Sequence, residues 1–261
     1  MPQFVQMAVA QGIAAISINR PELHNAFNEV VIAELTEAMN SASQSQDVRV
    51  VVLRGEGKSF CAGADVNWMK RMIDYSYEEN VADATAMADM LAAIRKCQKP
   101  VIARVHGAAI GGGVGLTAAC DMAVAVKSAL FCLSEVKLGI LPAVISPYVM
   151  EKMGPGPMRR YALTAEKFDA AEAHRLGLVS HVVEDEAQLD AWIAATAKAI
   201  MDNGPEALAA CKRVLADVQE QQTSAGKQQL TVERISKQRV TPEGQDGLKS
   251  FLEKRKPNWI Q

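Results

Sequence analysis

A run of glycines after an apolar segment is the first feature of the chain that could do chemistry. Residues 99–116 read KPVIARVHGAAIGGGVGL, and the pattern predicts a strand that runs into the glycines and a helix that begins among them. Each glycine inside a regular element costs roughly 0.5–1 kcal/mol. In return, a ligand can approach the backbone, and N–H groups at the positive end of a helix can bind an anion. A tight strand-to-helix turn without a ligand is the alternative. No GxGxxG fits the register and no GK[ST] follows, which disfavours a nucleotide site.

A second segment of small residues follows the predicted strand Val48–Leu53. Residues 55–65 read GEGKSFCAGAD, where the chain is expected to turn. Asp65 is typical of the residue that caps the start of a helix, and the turn before it would present backbone N–H groups around Ala64. An ordinary connecting turn explains the same residues.

Glu135 is the third candidate, because it lies in the largely apolar stretch ALFCLSEVKLGILP of residues 129–142. Burial there would raise the pKa of its carboxyl and suit it to proton transfer near neutral pH. A solvated glutamate, or one paired with Lys137, is the alternative. Together, two backbone donor sites and one buried carboxylate could stabilise an enolate oxygen while a proton moves at the α-carbon of a thioester.

Short apolar runs alternate with helical stretches and would position these segments. The predicted strands are Ile13–Ile18, Val48–Leu53, Val101–Val105, Met122–Val126 and Leu178–Val183. Helix starts are predicted at Ser76, where Glu79 completes a capping box, at Asp169, and at Pro205 and Pro242. The pattern indicates an α/β body over residues 1–200 and a helical region over 201–261. A tail of this length favours a homo-oligomer.

Composition narrows the class of protein further. The chain has 261 residues and a net charge of −2, which gives no electrostatic footprint for nucleic acid. No apolar run is long enough to suggest a membrane span, and no targeting segment is visible. Five scattered cysteines without a CxxC pair are typical of reduced thiols in a cytoplasmic protein. The four histidines fall at no metal-ligand spacing, so no metal is expected.

Several segments, in this order, give the chain a resemblance to a known family. They are NRPELHNAF, FCAGAD, KPVIARVHGAAIGGGVGL, SEVKLGILP, AEAHRLGLVSHVV and FLEKRKPNW. Nearly the whole chain resembles the enoyl-CoA hydratase/isomerase (crotonase) family. The resemblance implies an α/β spiral of ββα units, a C-terminal helical trimerisation region, and a trimer or hexamer. Within the family, the chain looks most like bacterial hydratases for branched or carboxylated enoyl-CoAs, of the methylglutaconyl-CoA (leucine degradation) and carboxygeranoyl-CoA types.

The family's site residues can be carried over by motif. The resemblance places the oxyanion hole at the backbone N–H groups of Ala64 and Gly112, with Glu135 as the proton-transferring group. The resemblance implies no separate cofactor, because coenzyme A is part of the substrate. The coenzyme A group would lie along a short set of residues. Basic residues near the chain end would reach its phosphates. This substrate-binding set is His24, Ala62, Ala64, Asp65, Val66, Asn67, Gly112 and Lys254.

One departure from the family pattern bears on the reaction. Hydratases with two catalytic glutamates carry the first at the position of Gly115, which has no side chain. A further departure is the segment PAVISP at 142–147, where Val144 and Ile145 are expected to reshape the acyl pocket. Three hypotheses therefore stand: a hydratase that uses Glu135 alone, a Δ3,Δ2-enoyl-CoA isomerase with Glu135 as its single base, and an acyl-CoA-binding or RNA-associated protein without turnover.

Overall fold

A six-stranded sheet lies at the centre of the chain, which the computed structural model describes over residues 3–260. The strands in this range are β1 (Val5–Ala10), β2 (Ile13–Ile18), β3 (Val50–Gly55), β4 (Val101–Val105), β5 (Ala108–Ile110), β6 (Met122–Val126), β7 (Leu130–Cys132), β8 (Phe168–Asp169) and β9 (His181–Val183). The central sheet has the order β1-β2-β3-β4-β6-β9, with β1 and β2 antiparallel and the other pairs parallel. Every residue of β4 is buried, which is typical of a parallel strand covered on both faces.

Helices cover this sheet, and the predicted helix starts at Ser76, Asp169, Pro205 and Pro242 are confirmed. The helices are α1 (Glu29–Gln44), α2 (Val66–Met72), α3 (Tyr77–Lys96), α4 (Gly112–Ala119), α5 (Ser146–Met153), α6 (Pro155–Thr164), α7 (Ala170–Arg175), α8 (Glu186–Met201), α9 (Pro205–Glu220), α10 (Ser224–Arg239) and α11 (Pro242–Glu253). Ser76 and Glu79 form the expected capping box of α3. Asp65 and Asp169 accept N–H groups at the starts of α2 and α7, as their positions predict.

A second, three-stranded sheet carries the site segments and is not predicted from the sequence. Its order is β5-β7-β8, and its strands have only two or three residues each. An isolated bridge between Cys61 and Ala109 attaches the 55–65 segment to β5. The fold is thus the expected mixed α/β class with C-terminal helices, and the small sheet places the segment before α2, the start of α4 and Glu135 in one region.

Two predicted strands have different bounds in the structure. The strand expected at Val48–Leu53 spans Val50–Gly55 instead. The strand expected at Leu178–Val183 is reduced to His181–Val183, because the N–H groups of Leu178 and Val179 donate to the Ala173 carbonyl and close the end of α7. The first residues of this apolar run, Leu178 and Val179, therefore cap the end of α7 and do not belong to the strand.

Helices α9, α10 and α11 pack on one another, and the largely buried side chain of Lys212 attaches α9 to the body. Lys212 donates to the Asp121 carboxylate at 2.6 Å and to the Lys99 carbonyl at 2.8 Å. Several large apolar side chains of these three helices and the segment between them are exposed: Leu215, Val232, Ile235, Val240, Leu248, Phe251 and Leu252. Within residues 3–260, no helix has both the length and the apolar character that crossing a bilayer requires.

The Lys212–Asp121 pair yields a test of this attachment. Replacing Lys212 by Met keeps most of the side-chain volume but leaves a largely buried carboxylate without its cation, because the Asp121 side chain is 19% exposed. We expect Lys212→Met to lower the free energy of unfolding by about 1–3 kcal/mol, measured by urea denaturation. The matched control is Lys198→Met, in an exposed pair with Asp202, with an expected loss below about 0.5 kcal/mol. Equal losses in the two variants would contradict the proposed attachment.

Candidate active site

The first donor is the backbone N–H of Ala64, in the turn before α2. Phe27 and Ala64 form an isolated parallel bridge, in which the Phe27 N–H donates to the Gly63 carbonyl and the Asp65 N–H donates to the Phe27 carbonyl, both at 2.9 Å. These two bonds fix the peptides on either side of Ala64. Among residues 3–260, no acceptor is bonded to the Ala64 N–H itself. The turn therefore holds one N–H in place and leaves it available for a ligand.

The second donor is the backbone N–H of Gly112, the first residue of α4. Gly111, the preceding residue, has a φ of +52°. The Gly111 N–H donates to the Cys132 carbonyl at 2.8 Å. The Gly112 N–H has no acceptor within the described chain, as is usual for the first turn of a helix. The positive end of the helix dipole adds to its attraction for an anion. The prediction that a helix begins among the three glycines is confirmed.

Close packing explains two of these glycines. A Cβ atom on Gly112 would lie 2.2 Å from Cζ of Phe27, and one on Gly113 would lie 2.4 Å from the Cys61 carbonyl oxygen. Side chains at either position would push the start of α4 away from the segment that carries Ala64. The same Phe27 forms the bridge with Ala64, so the structure brings the two unpaired N–H groups into one site.

Glu135 supplies the carboxylate of this site. It begins a 3₁₀ turn after β7, and its Oε1 lies 3.2 Å from the position that a Cβ on Gly111 would take. Its Oε2 is buried and has no hydrogen-bond partner within residues 3–260. Burial raises the pKa of Glu135, an effect that outweighs the lowering by its own backbone N–H. A carboxyl group of this kind exchanges protons closer to neutral pH than a solvated glutamate does.

Position 115 has no space for a second acid. A Cβ on Gly115 would lie 2.3 Å from Cγ2 and 2.8 Å from Cβ of Ile145, which is buried just before α5. Gly115 lies one helical turn after Gly111, and the Ile145 side chain fills the space beside α4 at that point. Glu135 is therefore the carboxylate that this part of the site offers, as the glycine at 115 predicts.

Most of the residues predicted for substrate binding belong to one continuous stretch. The Ala62 N–H donates to the His24 carbonyl at 3.0 Å, and His24 is exposed with its ring bonded to Ser59. Val66 and Asn67 are exposed in the first turn of α2. Asp65 belongs to this stretch through its backbone, since its carboxylate is buried. Lys254 follows α11, and no hydrogen bond or ion pair of residues 3–260 ties its side chain to this stretch.

Other side chains have roles that the sequence reasoning did not assign. Phe27 and Arg20 lie in the NRPELHNAF segment, in which His24 and Asn25 adopt positive φ angles. Tyr148 and Arg95 line a cavity of about 700 Å³. Glu135 is not among the residues that line this cavity. No cluster of three or more metal-ligating side chains is found in residues 3–260.

Comparisons with known proteins show which family the chain belongs to. A family model described as enoyl-CoA hydratase/isomerase matches residues 8–261. A crystal structure of an enoyl-CoA hydratase from Shewanella pealeana is 39% identical, with a TM-score of 0.95 over 98% of this chain and 96% of that chain. The chain belongs to the enoyl-CoA hydratase/isomerase family.

Curated relatives carry both activities in their names. The enoyl-CoA hydratase ACTT6 of Alternaria alternata is 36% identical over 201 residues, which are 77% of this chain and 65% of that protein. The peroxisomal Delta(3,5)-Delta(2,4)-dienoyl-CoA isomerase of Arabidopsis thaliana is 35% identical over 216 residues, 76% of this chain and 75% of that protein. Membership of the family is therefore compatible with a hydratase reaction and with an isomerase reaction.

The burial of Glu135 has a consequence for stability against pH. Because its pKa is raised on folding, the folded protein gains stability from the protonated carboxyl at low pH and loses it as the pH rises through the folded-state pKa. Glu135→Gln removes the charge, so we expect this variant to be more stable than the parent at pH 8, by about 1 kcal/mol. The gain should disappear below about pH 4, where an unfolded glutamate is also protonated.

Thermal unfolding at several pH values measures this difference. The control is Glu184→Gln, whose carboxylate is exposed and paired with Lys127. This control should show no gain that grows with pH. A Glu135→Gln variant that is less stable than the parent at pH 8 would show that the carboxylate is not held unpaired in the folded protein.

Proposed function

We propose that the chain is an enoyl-CoA hydratase that adds water across the α,β double bond of an acyl-CoA thioester. The observation that carries the proposal is the pair of unbonded N–H groups of Ala64 and Gly112 beside the buried, unpartnered Oε2 of Glu135. Two N–H donors suit a thioester oxygen that gains negative charge as an enolate. A desolvated carboxyl suits the transfer of the proton that must reach the α-carbon.

In the proposed reaction Glu135 acts in both halves. Its carboxylate takes a proton from a water molecule whose oxygen bonds to the β-carbon, and the electron pair of the double bond moves towards the thioester oxygen. The N–H groups of Ala64 and Gly112 hold that oxygen as the enolate. Glu135 then returns the proton to the α-carbon, so the carboxylate is regenerated and the product carries one added water.

The acyl part of the proposed substrate is branched or carboxylated, as in methylglutaconyl-CoA. Apolar groups surround the reacting position, since Phe27 and the Met87 methyl both lie near Gly112 and Ile145 lies over Gly115. Such walls suit a branched carbon skeleton close to the thioester. The resemblance of the sequence motifs to those of hydratases for branched and carboxylated substrates favours the same choice.

Coenzyme A is proposed to lie along the exposed stretch formed by His24, Ala62, Ala64 and the first turn of α2. That stretch is open to a ligand in the single chain, because His24, Val66 and Asn67 are exposed. Lys254 is proposed to reach the phosphates from a neighbouring copy in a trimer or hexamer. The exposed apolar residues of α10 and α11 support an assembly that covers them.

An isomerase is the second candidate, and Ile145 is the observation that favours it. The Glu135 carboxylate lies beside Gly111. One helical turn further along α4, the aliphatic side chain of Ile145 lies beside Gly115. A single base that moves a proton from one carbon to another needs no bound water. In that reaction Glu135 would take the proton from the α-carbon and return it to the γ-carbon, with the same enolate held by Ala64 and Gly112.

Mass spectrometry of the products separates the two reactions. The purified protein would be incubated with crotonyl-CoA, a 3-enoyl-CoA and 3-methylglutaconyl-CoA. We expect 3-methylglutaconyl-CoA to give a product heavier by one water. An isobaric 2-enoyl-CoA product from the 3-enoyl-CoA, separated from the substrate by liquid chromatography before the mass is measured, with no hydrated product from any substrate, would establish the isomerase instead. Tight binding of the thioesters with no product of either kind would leave only a binding protein.

Glu135→Gln tests the assigned proton transfer. The amide keeps the shape of the side chain but cannot accept and return a proton, so we expect turnover to fall by about 10²–10⁴-fold. The dissociation constant for a substrate-like CoA thioester should change by less than about threefold, because the donors are backbone groups. Glu184→Gln serves again as the control with unchanged turnover. Full turnover in Glu135→Gln would remove Glu135 from the mechanism.

A further inference from the structure

Arg20 lies buried between the two segments that form the first donor site. Its Nη1 donates to the Ala26 carbonyl and its Nη2 donates to the Asp65 carboxylate, both at 2.7 Å. The side chains of Arg20 and Asp65 are only 7% and 6% exposed. One guanidinium therefore joins two stretches of chain that are about forty residues apart in the sequence.

The two acceptors lie on either side of the bridge that holds the donor. Ala26 immediately precedes Phe27, and Asp65 immediately follows Ala64. Phe27 and Ala64 are the bridge partners, and the ring of Phe27 lies where a Cβ on Gly112 would be. Any shift of Ala26 relative to Asp65 would therefore turn the Ala64 N–H and move the ring that sets the start of α4.

Further contacts hold Arg20 itself. Its backbone N–H donates to the side-chain oxygen of Asn25 at 2.9 Å, and the Asn25 amide donates to the Glu56 and Ser59 carbonyls. The guanidinium carbon lies 4.7 Å from the centre of the Phe4 ring. Burial tends to raise the pKa of Asp65, but Arg20 and the N–H groups at the start of α2 hold it below its ordinary value. The carboxylate is thus kept charged for the guanidinium.

We propose that Arg20 is a positioning residue for the oxyanion hole, which sets the mutual placement of the Ala64 and Gly112 N–H groups through Asp65 and Phe27. The proposal rests on the function proposed above. An arginine suits this task because its planar fork reaches two acceptors in fixed directions, whereas a lysine offers one compact charge. Arg20 touches no reacting atom in this scheme and acts through the backbone of its neighbours.

The test uses two variants of the full chain. Arg20→Lys keeps the charge but loses the fork. The double variant Arg20→Gln with Asp65→Asn removes both charges together, so that no unpaired buried charge is left behind. We expect kcat to fall at least tenfold in both variants, with KM changing less than about threefold, because the enolate is affected more than the bound thioester. If only one of the two variants folds, that variant decides.

The matched control is Lys212→Met, which breaks another largely buried ion pair. Its partners Asp121 and Lys99 share no hydrogen bond with the segments around Phe27 or Ala64 in the described chain. It should lose stability but keep kcat within twofold of the parent. Arg20 variants whose kcat matches that of Lys212→Met would overturn the proposal, because Arg20 would then be structural only.

Hydrogen–deuterium exchange gives a readout that does not depend on turnover. In both Arg20 variants we expect faster exchange in peptides covering residues 60–67 and 24–28, and no such change in Lys212→Met. Unchanged exchange there would also overturn the proposal. A parent protein that converts none of the thioesters would defeat the proposed function and this inference with it, whereas an active parent with unaffected Arg20 variants defeats the inference alone.

Discussion

The contact between the Phe27 ring and the backbone of Gly112 is the interaction on which the rest of the site depends. It requires a residue without a side chain at the start of α4, and it sets how closely that helix approaches the 60–65 segment. Because Phe27 also forms the bridge with Ala64, the two unbonded N–H groups share one neighbour. The small sheet then carries Glu135 to the same place through β7. The two N–H groups are thus positioned by backbone segments that both contact Phe27.

The site brings together polar groups that have no hydrogen-bond partner within the part of the protein that the structure describes. The buried Oε2 of Glu135 has no hydrogen-bond partner in the described chain, although buried polar atoms are nearly always hydrogen-bonded in native proteins. The N–H groups of Ala64 and Gly112 also have no acceptor there. The Arg20–Asp65 pair and the hydrogen bonds of Asn25 hold the turns on the Ala64 side of the site. A binding site for a developing negative charge requires free hydrogen-bond donors that are held rigidly in place.

Features that depend on local sequence could be predicted, and features that depend on distant residues could not. The caps at Asp65, Ser76 and Asp169 follow from side chains bonding within their own turn. The glycine run indicates where α4 begins, but the distant groups that pack against it cannot be read from the sequence. Strand β1 gave no signal, because only one of its six residues is buried. The contacts of Phe27 with Gly112 and of Ile145 with Gly115 join residues that are far apart along the chain, so no periodicity or spacing reveals them.

The fit of Ile145 against Gly115 has a consequence for how this chain can change. The volume that a side chain would need at position 115 is already occupied by a residue thirty positions further along, so the two sites share one space. A larger residue at 115 is blocked while Ile145 is present, and a smaller residue at 145 alone leaves a cavity. Acquiring an acid at 115 therefore requires two coordinated replacements, each unfavourable by itself. Steric coupling of this kind ties the choice of residue at 115 to the residue at 145.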